Sequence, residues 1–464
     1  MRSARTGALA LAASVLLLPA VLYAHGVLRK AEPANGAVLR TVPQVIRLTF
    51  TEPPQLAFTR VELIGPDSQV VALSPLRVAA SDSTSIVVAD IHGPLGAGRY
   101  RIRWQITSAD GHPVRGVVTF RIRTDAIGLA TSPMDSAASA VLPPVAIDTT
   151  VPLEQTPEPA AFGTDSWPYA VIRLLTFTAI LTVLGAIVFS LIVVPAAHHR
   201  VPDLPDSFVG DAWHRAARAA LIAAAALVPL LLGRLVAQSY AVTGAAPDGR
   251  FVAEVGRTPW GAGFFLAAAS ITALVLALRR PRHAAWRIAA FGGVGLALAS
   301  SLSGHAAASG RWTVVAVFSD TIHIIAAAGW LGALLAVVVA GLPTVAALAP
   351  LGRRAAVRGM LEVFSPMALT FAATLAVTGV VAATLRLGSW SALIESDYGR
   401  VLLFKLGALT LVLAAGAYNW LRLKPKLDDD RIGTLRRTAT TELLLGFIVL
   451  LMTAWLVATP PPSQ

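Results

Sequence analysis

Eight long apolar stretches constrain what this chain can fold into more than any other feature of its 464 residues. They lie roughly at residues 170–194, 213–239, 259–279, 285–303, 314–341, 361–385, 399–420 and 438–458. Each stretch has about the 20 residues that a helix needs to cross the hydrocarbon core of a bilayer. With 55% hydrophobic and only 14% charged residues, the chain is far more apolar than a soluble globular protein. The sequence therefore predicts a polytopic α-helical membrane domain over residues 167–464 with about eight transmembrane helices.

Basic residues are spread unevenly over the segments that connect these stretches. When the amino-terminal part is placed outside, the inner segments hold 16 Lys and Arg residues and the outer connections hold five. Cytoplasmic loops of membrane proteins carry such an excess, so we expect this orientation. The formal net charge of +12 then follows from membrane topology, and we expect no nucleic-acid partner.

Residues 1–24 have the pattern of a secretory signal peptide. Two arginines precede the apolar run 8–21, which is too short for an ordinary membrane-spanning helix. Ala24 is a small residue suited to the cleavage position, so His25 is the predicted first residue of the mature chain. An uncleaved membrane anchor is the alternative, and only cleavage frees the amine of His25.

Alternating polar and apolar residues indicate short β-strands over residues 25–123. Tyr100, Ile102 and Trp104 share one face of a predicted strand. Turn sequences rich in Gly and Pro separate this run from other alternating runs. A hundred or so residues of short strands predict an all-β, immunoglobulin-like sandwich outside the membrane. Residues 124–166 are rich in Ala, Ser, Thr and Pro and lack a periodic apolar face, which predicts a linker.

One loop of the predicted sandwich carries candidate metal ligands. Asp110 and His112 flank a glycine that allows a tight bend, although most Asp-x-His pairs are ordinary loop residues. A cleaved chain adds His25, whose terminal amine and ring Nδ1 form a chelating pair. Three nitrogens and one oxygen suit a tetragonal Cu(II) site, whereas Cu(I) prefers sulfur ligands. The chain has no Cys, which excludes thiolate metal sites, disulfides and catalytic cysteines.

Two sets of short motifs are more specific than composition or periodicity. The outer set is Ala24-His25-Gly26-Val27-Leu28, Pro33-Ala34-Asn35-Gly36-Ala37, Leu48-Thr49-Phe50-Thr51-Glu52-Pro53 and Ser108-Ala109-Asp110-Gly111-His112-Pro113. The membrane set is Ser303-Gly304-His305-Ala306, Asp320-Thr321-Ile322-His323, Gly329-Trp330-Leu331-Gly332 and Tyr398-Gly399-Arg400 with Lys405. The outer set resembles the CopC family of periplasmic copper-binding proteins. The membrane set resembles the CopD family of copper-transport membrane proteins, so that the whole resembles a CopC–CopD fusion.

This resemblance implies a ligand set and a function. It implies that His25, Asp110 and His112 of a CopC-type sandwich bind Cu(II), and that the membrane domain transports copper. The implied partners are the copper ion, the lipid bilayer and other copper-handling proteins. It implies no enzymatic activity, and we identify no catalytic residues.

Ionisable residues within the predicted helices are a second group of candidates, because a charge in the bilayer is costly. Asp320 and His323 are spaced i, i+3 and so share one helix face. His305 closes the preceding span at the outer surface. Together they predict a copper path into the membrane, with interhelical hydrogen bonding as the alternative role of Asp320 and His323. Lys405 and Glu442 lie nearer predicted span ends, where a long side chain can snorkel or a carboxylate favours a helix N-terminus.

These features predict copper binding at the outer face and copper transport across the cytoplasmic membrane of a bacterium, for uptake or for resistance. The amino-terminal domain is expected in the periplasm or the extracellular space. The sequence contains no P-loop, so transport would run down a gradient or use proton or potential coupling. A membrane haem protein for electron transfer is one alternative, since histidines on neighbouring helices can ligate haem. A copper-delivery factor for oxidase assembly is another.

Overall fold

The computed structural model describes most of the outer domain and most of the membrane domain. The described residues are 28–50, 54–79, 85–107, 113–123, 166–202, 204–205, 207–308, 312–387, 389, 391–423 and 429–457. The expectations for the signal peptide and for His25, Asp110 and His112 fall outside them, as does nearly all of the predicted linker.

The outer domain is a sandwich of two β-sheets, as predicted. Its described strands are β1 Leu28–Glu32, β2 Ala37–Leu39, β3 Val45–Phe50, β4 Arg60–Ile64, β5 Val70–Val71, β6 Arg77–Val78, β7 Ile86–Asp90, β8 Gly98–Thr107 and β9 Pro113–Ile122. One sheet has the order β1-β3-β7-β6 and the other β2-β9-β8-β4-β5. Tyr100, Ile102 and Trp104 are all buried in the core, so the predicted face of this strand is confirmed. The Trp104 ring meets Phe50 of the opposite sheet edge-on at 5.2 Å between centroids.

Strands β8 and β9 form a long antiparallel hairpin. Their pairing runs from Gly98 opposite Ile122 to Thr107 opposite Pro113. The connection that contains residues 108–112 therefore joins the two strands at the Thr107–Pro113 end.

The membrane domain is a bundle of α-helices. The described helices are α1 Trp167–Arg200, α2 Ser207–Thr243, α3 Gly249–Val255, α4 Pro259–Leu278, α5 His283–Leu302, α6 Thr313–Ala346, α7 Pro350–Leu387, α8 Ala392–Glu395, α9 Asp397–Tyr418 and α10 Asp429–Leu456. Among the described residues, eight helices are long and apolar enough to cross a membrane, all except the short α3 and α8. The predicted eight spans are confirmed.

Helices α1 and α6 pack backbone against backbone in the bundle core. A Cβ atom on Gly185 of α1 would lie only 2.0 Å from the carbonyl carbon of Gly332 of α6. Such small residues let helix backbones approach closely, which strengthens packing within a membrane. Both helices contain π turns beside this contact, at Phe189–Val193 and Ala328–Gly332. A π turn inserts one extra residue and redirects the side chains around it.

Candidate functional site

The β-sandwich is joined by hydrogen bonds to the outer end of α2. Gln105 of β8 donates from Nε2 to the carbonyl of Val242 at 2.9 Å. Arg115 of β9 donates from Nη2 to the carbonyl of Ala241 at 3.0 Å and from Nε to Gln105 Oε1 at 2.8 Å. The last carbonyls of a helix lack intrahelical partners and carry partial negative charge. A guanidinium and an amide therefore complement this helix end.

An apolar contact lies beside these hydrogen bonds. Phe58, in the segment before β4, packs on Phe251 of α3 with 5.8 Å between ring centroids. Phe58 packs against a buried cluster that includes Val242, Phe251 and Trp260. Polar and apolar contacts thus hold the same end of the sandwich against α2, α3 and α4.

This docking fixes where the β8–β9 connection leaves the sandwich. Gln105 and Arg115 are paired across the hairpin, two residue pairs before Thr107 and Pro113. At about 3.4 Å per residue, the connection begins roughly 7 Å along the strands from the contact with α2. The two described ends of the predicted ligand loop are therefore held next to the outer surface of the bundle.

The outer end of α5 lies at the edge of the same apolar cluster. Ser303 Oγ donates to the carbonyl of Ala299 at 2.8 Å and lies 3.4 Å from the carbonyl of Trp260. His305 follows two residues later and begins a short 3-10 helix, while its side chain lies outside the description. His305 thus follows closely on Ser303, which contacts Trp260. Trp260 belongs to the apolar cluster against which the sandwich packs.

Asp320 and His323 are half-buried on α6. His323 Nδ1 lies 2.8 Å from Thr378 Oγ1 of α7, and the same hydroxyl donates to the carbonyl of Thr374 at 2.8 Å. In the tautomer with the proton on Nδ1, His323 donates to this hydroxyl oxygen while the hydroxyl donates to Thr374. This tautomer leaves a lone pair on Nε2, the nitrogen that could bind a metal. His323 therefore makes the interhelical hydrogen bond that the sequence suggested as its alternative role, and Nε2 still remains available as a metal ligand.

Two basic residues of neighbouring helices lie near this part of α6. Lys405 of α9 and Arg386 of α7 both act electrostatically on His323, and Asp320 acts on Lys405. The sequence placed Lys405 near a span end and did not relate it to Asp320 or His323, although an ionisable residue within a span was a usable signal. Within the described part of the chain, no three His, Asp or Glu side chains come together to hold a metal ion.

Three family models match this chain. A model described as the CopC domain matches residues 28–123, one described as the Copper resistance protein D-like, N-terminal domain matches 164–314, and Copper resistance protein D matches 358–456. Together they extend over both the β-sandwich and the helical bundle.

Two similar proteins, one over nearly the whole chain and one over the amino-terminal domain, agree with these matches. Copper transport protein CutJ of Bacillus subtilis (strain 168) is 25% identical over 465 residues, which cover 97% of this chain and 77% of that protein. Copper resistance protein C of Xanthomonas campestris pv. juglandis is 32% identical over 127 residues, which cover 26% of this chain and 97% of that protein. The crystal structure of PcoC, a methionine-rich copper resistance protein from Escherichia coli, is 33% identical, with a TM-score of 0.19, and the match covers 22% of this chain and 100% of that chain.

Proposed function

Because this multi-pass membrane protein belongs to the CopC and CopD families of copper resistance proteins, joined in one chain, we propose that it captures Cu(II) outside the cytoplasmic membrane and conducts copper inward. The proposed outer ligands are His25, Asp110 and His112, whose nitrogen and oxygen donors suit Cu(II). The matched relatives are described as copper transport and copper resistance proteins, which supports copper as the cargo.

The docking of the sandwich on α2 is the observation that carries this proposal. A copper-binding domain that only sequesters metal needs no fixed orientation relative to the membrane. Gln105 and Arg115 instead hold the end of the β8–β9 hairpin against the outer surface of the bundle. Copper released from the hairpin loop would enter at this surface, beside the Ser303-Gly304-His305 motif.

Inside the bundle, His323 is the proposed next ligand, assisted by Asp320. Thr378 holds the imidazole so that Nε2 keeps its lone pair. The positive charge of Lys405 opposes a bound cation and the negative charge of Asp320 favours it, which together keep the affinity modest. A conduction site needs this balance, since it must both admit and release its ion.

Copper accumulation by cells that express the protein tests this proposal. Cells with His323→Ala, or with Asp110→Ala and His112→Ala together, should accumulate less copper than cells with the wild type, at equal amounts of protein in the membrane. Equal copper accumulation in all three strains would contradict the proposed transport function. Normal accumulation in His323→Ala alone would instead favour sequestration by the outer domain.

The outer ligand set has a separate test. Mass spectrometry of the mature protein should show His25 as the amino-terminal residue, since only a free amine completes the chelating pair. A different first residue would remove His25 from the site while leaving the membrane path open to test.

A further inference from the structure

A buried carboxyl group lies where three membrane helices meet. Glu442 of α10 is only 4% exposed. Its Oε1 accepts from Trp330 Nε1 of α6 at 3.3 Å. Its Oε2 accepts from Asn419 Nδ2, in the π turn that follows α9, at 3.2 Å. Proximity to a predicted span end had suggested an interfacial role for Glu442, but packing against two other helices removes the side chain from water.

The surroundings are shaped to admit this side chain. A Cβ atom on Gly416 of α9 would lie 3.2 Å from Glu442 Oε1, so the glycine leaves the room that the carboxyl occupies. Trp330 lies in the π turn Ala328–Gly332, and π turns are frequent at functional sites. Glu442 lies four residues after residue 438, where the predicted apolar stretch begins, which is about 6 Å along the helix.

The carboxyl group has no ion-pair partner among the residues that the structure describes. The basic residues of the packed helices lie elsewhere. Arg173 of α1 donates to the carbonyl of Ala454, which is twelve residues beyond Glu442, or about 18 Å along α10. Lys405 lies fourteen residues before Asn419, about 21 Å along α9. Arg436 and Arg437 of α10 itself are exposed. In the described part of the chain, two neutral donors alone therefore hold Glu442, in surroundings where a lone negative charge is unfavourable.

The donor set indicates which cation would neutralise Glu442. In the described contacts the site offers carboxylate and amide oxygens without sulfur or imidazole, which does not suit Cu(I). These contacts supply fewer oxygens than the six or more that Mg²⁺ or Ca²⁺ takes. Asn419 Oδ1 is buried and has no hydrogen-bond partner. If the Asn419 amide is reversed, this oxygen faces Glu442 and accepts a hydrogen bond from the protonated acid. Asn419 can thus donate to the charged carboxylate through Nδ2 and accept from the protonated acid through Oδ1. The cation that this site accommodates is therefore a proton.

We propose that Glu442 is an intramembrane proton-binding site and that proton exchange there is coupled to copper movement; the coupling rests on the copper-transport function proposed above. Trp330 follows His323 by seven residues on α6, about 10 Å along the axis, so one helix contacts both the copper path and the proton site. In each cycle the carboxylate takes one proton from water on one side of the membrane and releases it to water on the other. No other bond is formed or broken.

Reconstitution of the full chain into liposomes tests the coupling. Copper is added outside, and a copper indicator and a pH indicator inside report both fluxes at once. The wild type should show a pH change that accompanies copper entry, and Glu442→Gln should lose that pH change. Glu362→Gln is the matched control, because Glu362 is a more accessible carboxylate paired with Arg358 on α7 at 3.0 Å. A copper-linked pH change in Glu442→Gln equal to that of the wild type would overturn the proposal.

A second measurement needs neither copper flux nor a substitution. Dicyclohexylcarbodiimide reacts with protonated carboxyl groups in apolar surroundings, and mass spectrometry locates the modified residue. Glu442 should be modified, less so as the pH rises, while Glu362 should stay unmodified. No modification of Glu442 at any pH would overturn the proton site. If the wild type moves no copper but Glu442 is still modified with this pH dependence, the transport function fails and the proton site stands.

Discussion

The hydrogen bonds between the sandwich and α2 should hold the outer domain in one orientation. Arg115 and Gln105 bind two carbonyls at the end of α2. A hydrogen bond from a charged group contributes about 1.5–3 kcal/mol, but Arg115 is exposed, and solvent reduces its share to about 1 kcal/mol. The neutral Gln105 amide adds about 1 kcal/mol. Removing both side chains should therefore weaken docking by about 2 kcal/mol, roughly a 30-fold change in the ratio of docked to undocked domains.

Spin labels can measure this change, because the chain has no native cysteine to remove. Labels at Val117→Cys on β9 and Ala253→Cys on α3 occupy exposed positions on the two sides of the contact. Pulsed electron paramagnetic resonance should give one narrow distance distribution for this pair. The added substitutions Arg115→Ala and Gln105→Ala should broaden it toward longer distances. Arg121→Ala, at an exposed arginine further along β9, should leave it narrow.

Two outcomes would refute this reasoning about docking. An unchanged distribution in the doubly substituted protein would show that the hydrogen bonds do not orient the sandwich. Equal broadening in Arg121→Ala would show that loss of any positive charge on β9 has the same effect. If the reasoning holds, copper accumulation should fall with docking, while Cu(II) binding by the outer domain persists.

Three further predictions follow from other contacts. Thr378→Val keeps the His323 imidazole but removes the hydroxyl that holds it. The copper transport rate, measured as flux into liposomes, should therefore fall by about 10- to 100-fold. Gly185→Leu should prevent stable folding, since its side chain would overlap the Gly332 backbone, and size-exclusion chromatography with thermal unfolding will report it. The pKa of Asp90 is lowered by its hydrogen bond from an arginine of β6, so Asp90→Asn should lower the unfolding temperature at neutral pH. That difference should disappear as the pH falls through the lowered pKa, because the wild-type carboxyl then becomes protonated and its contribution is lost.

Control variants distinguish the effects of Thr378→Val and Gly185→Leu from nonspecific effects of a substitution in the same kind of helix. Thr370→Val removes an exposed threonine of the same helix α7, whose hydroxyl bonds only to the Pro366 carbonyl in the described contacts, and it should transport as the wild type does. Gly407→Ala places a methyl group in open space and should fold normally. Transport by Thr378→Val at the wild-type rate, or an Asp90→Asn deficit that persists in acid, would contradict the corresponding argument.

The sequence by itself determined the longest strands of the outer domain and the eight spans of the membrane domain. The alternation of Tyr100, Ile102 and Trp104 predicted which face of β8 is buried, because successive side chains of any strand point to opposite sides. The lengths of the apolar stretches predicted eight spans, because each backbone must cross the same hydrocarbon thickness. The spacing of Asp320 and His323 likewise placed both on one face of α6. These inferences depend on the geometry of one strand or one helix, which a short run of residues already specifies.

Only the tertiary structure decided which side chains meet. Thr378 lies 55 residues from His323, and Trp330 lies 112 residues from Glu442, so no local spacing relates either pair. Glu442 is buried because α6, α9 and α10 converge around it, whereas its position in the sequence suggested the interface. The contact of the sandwich with α2 joins residues 137 apart. Helix rotation and domain docking result from packing over the whole bundle, and no periodicity within a single segment contains that information.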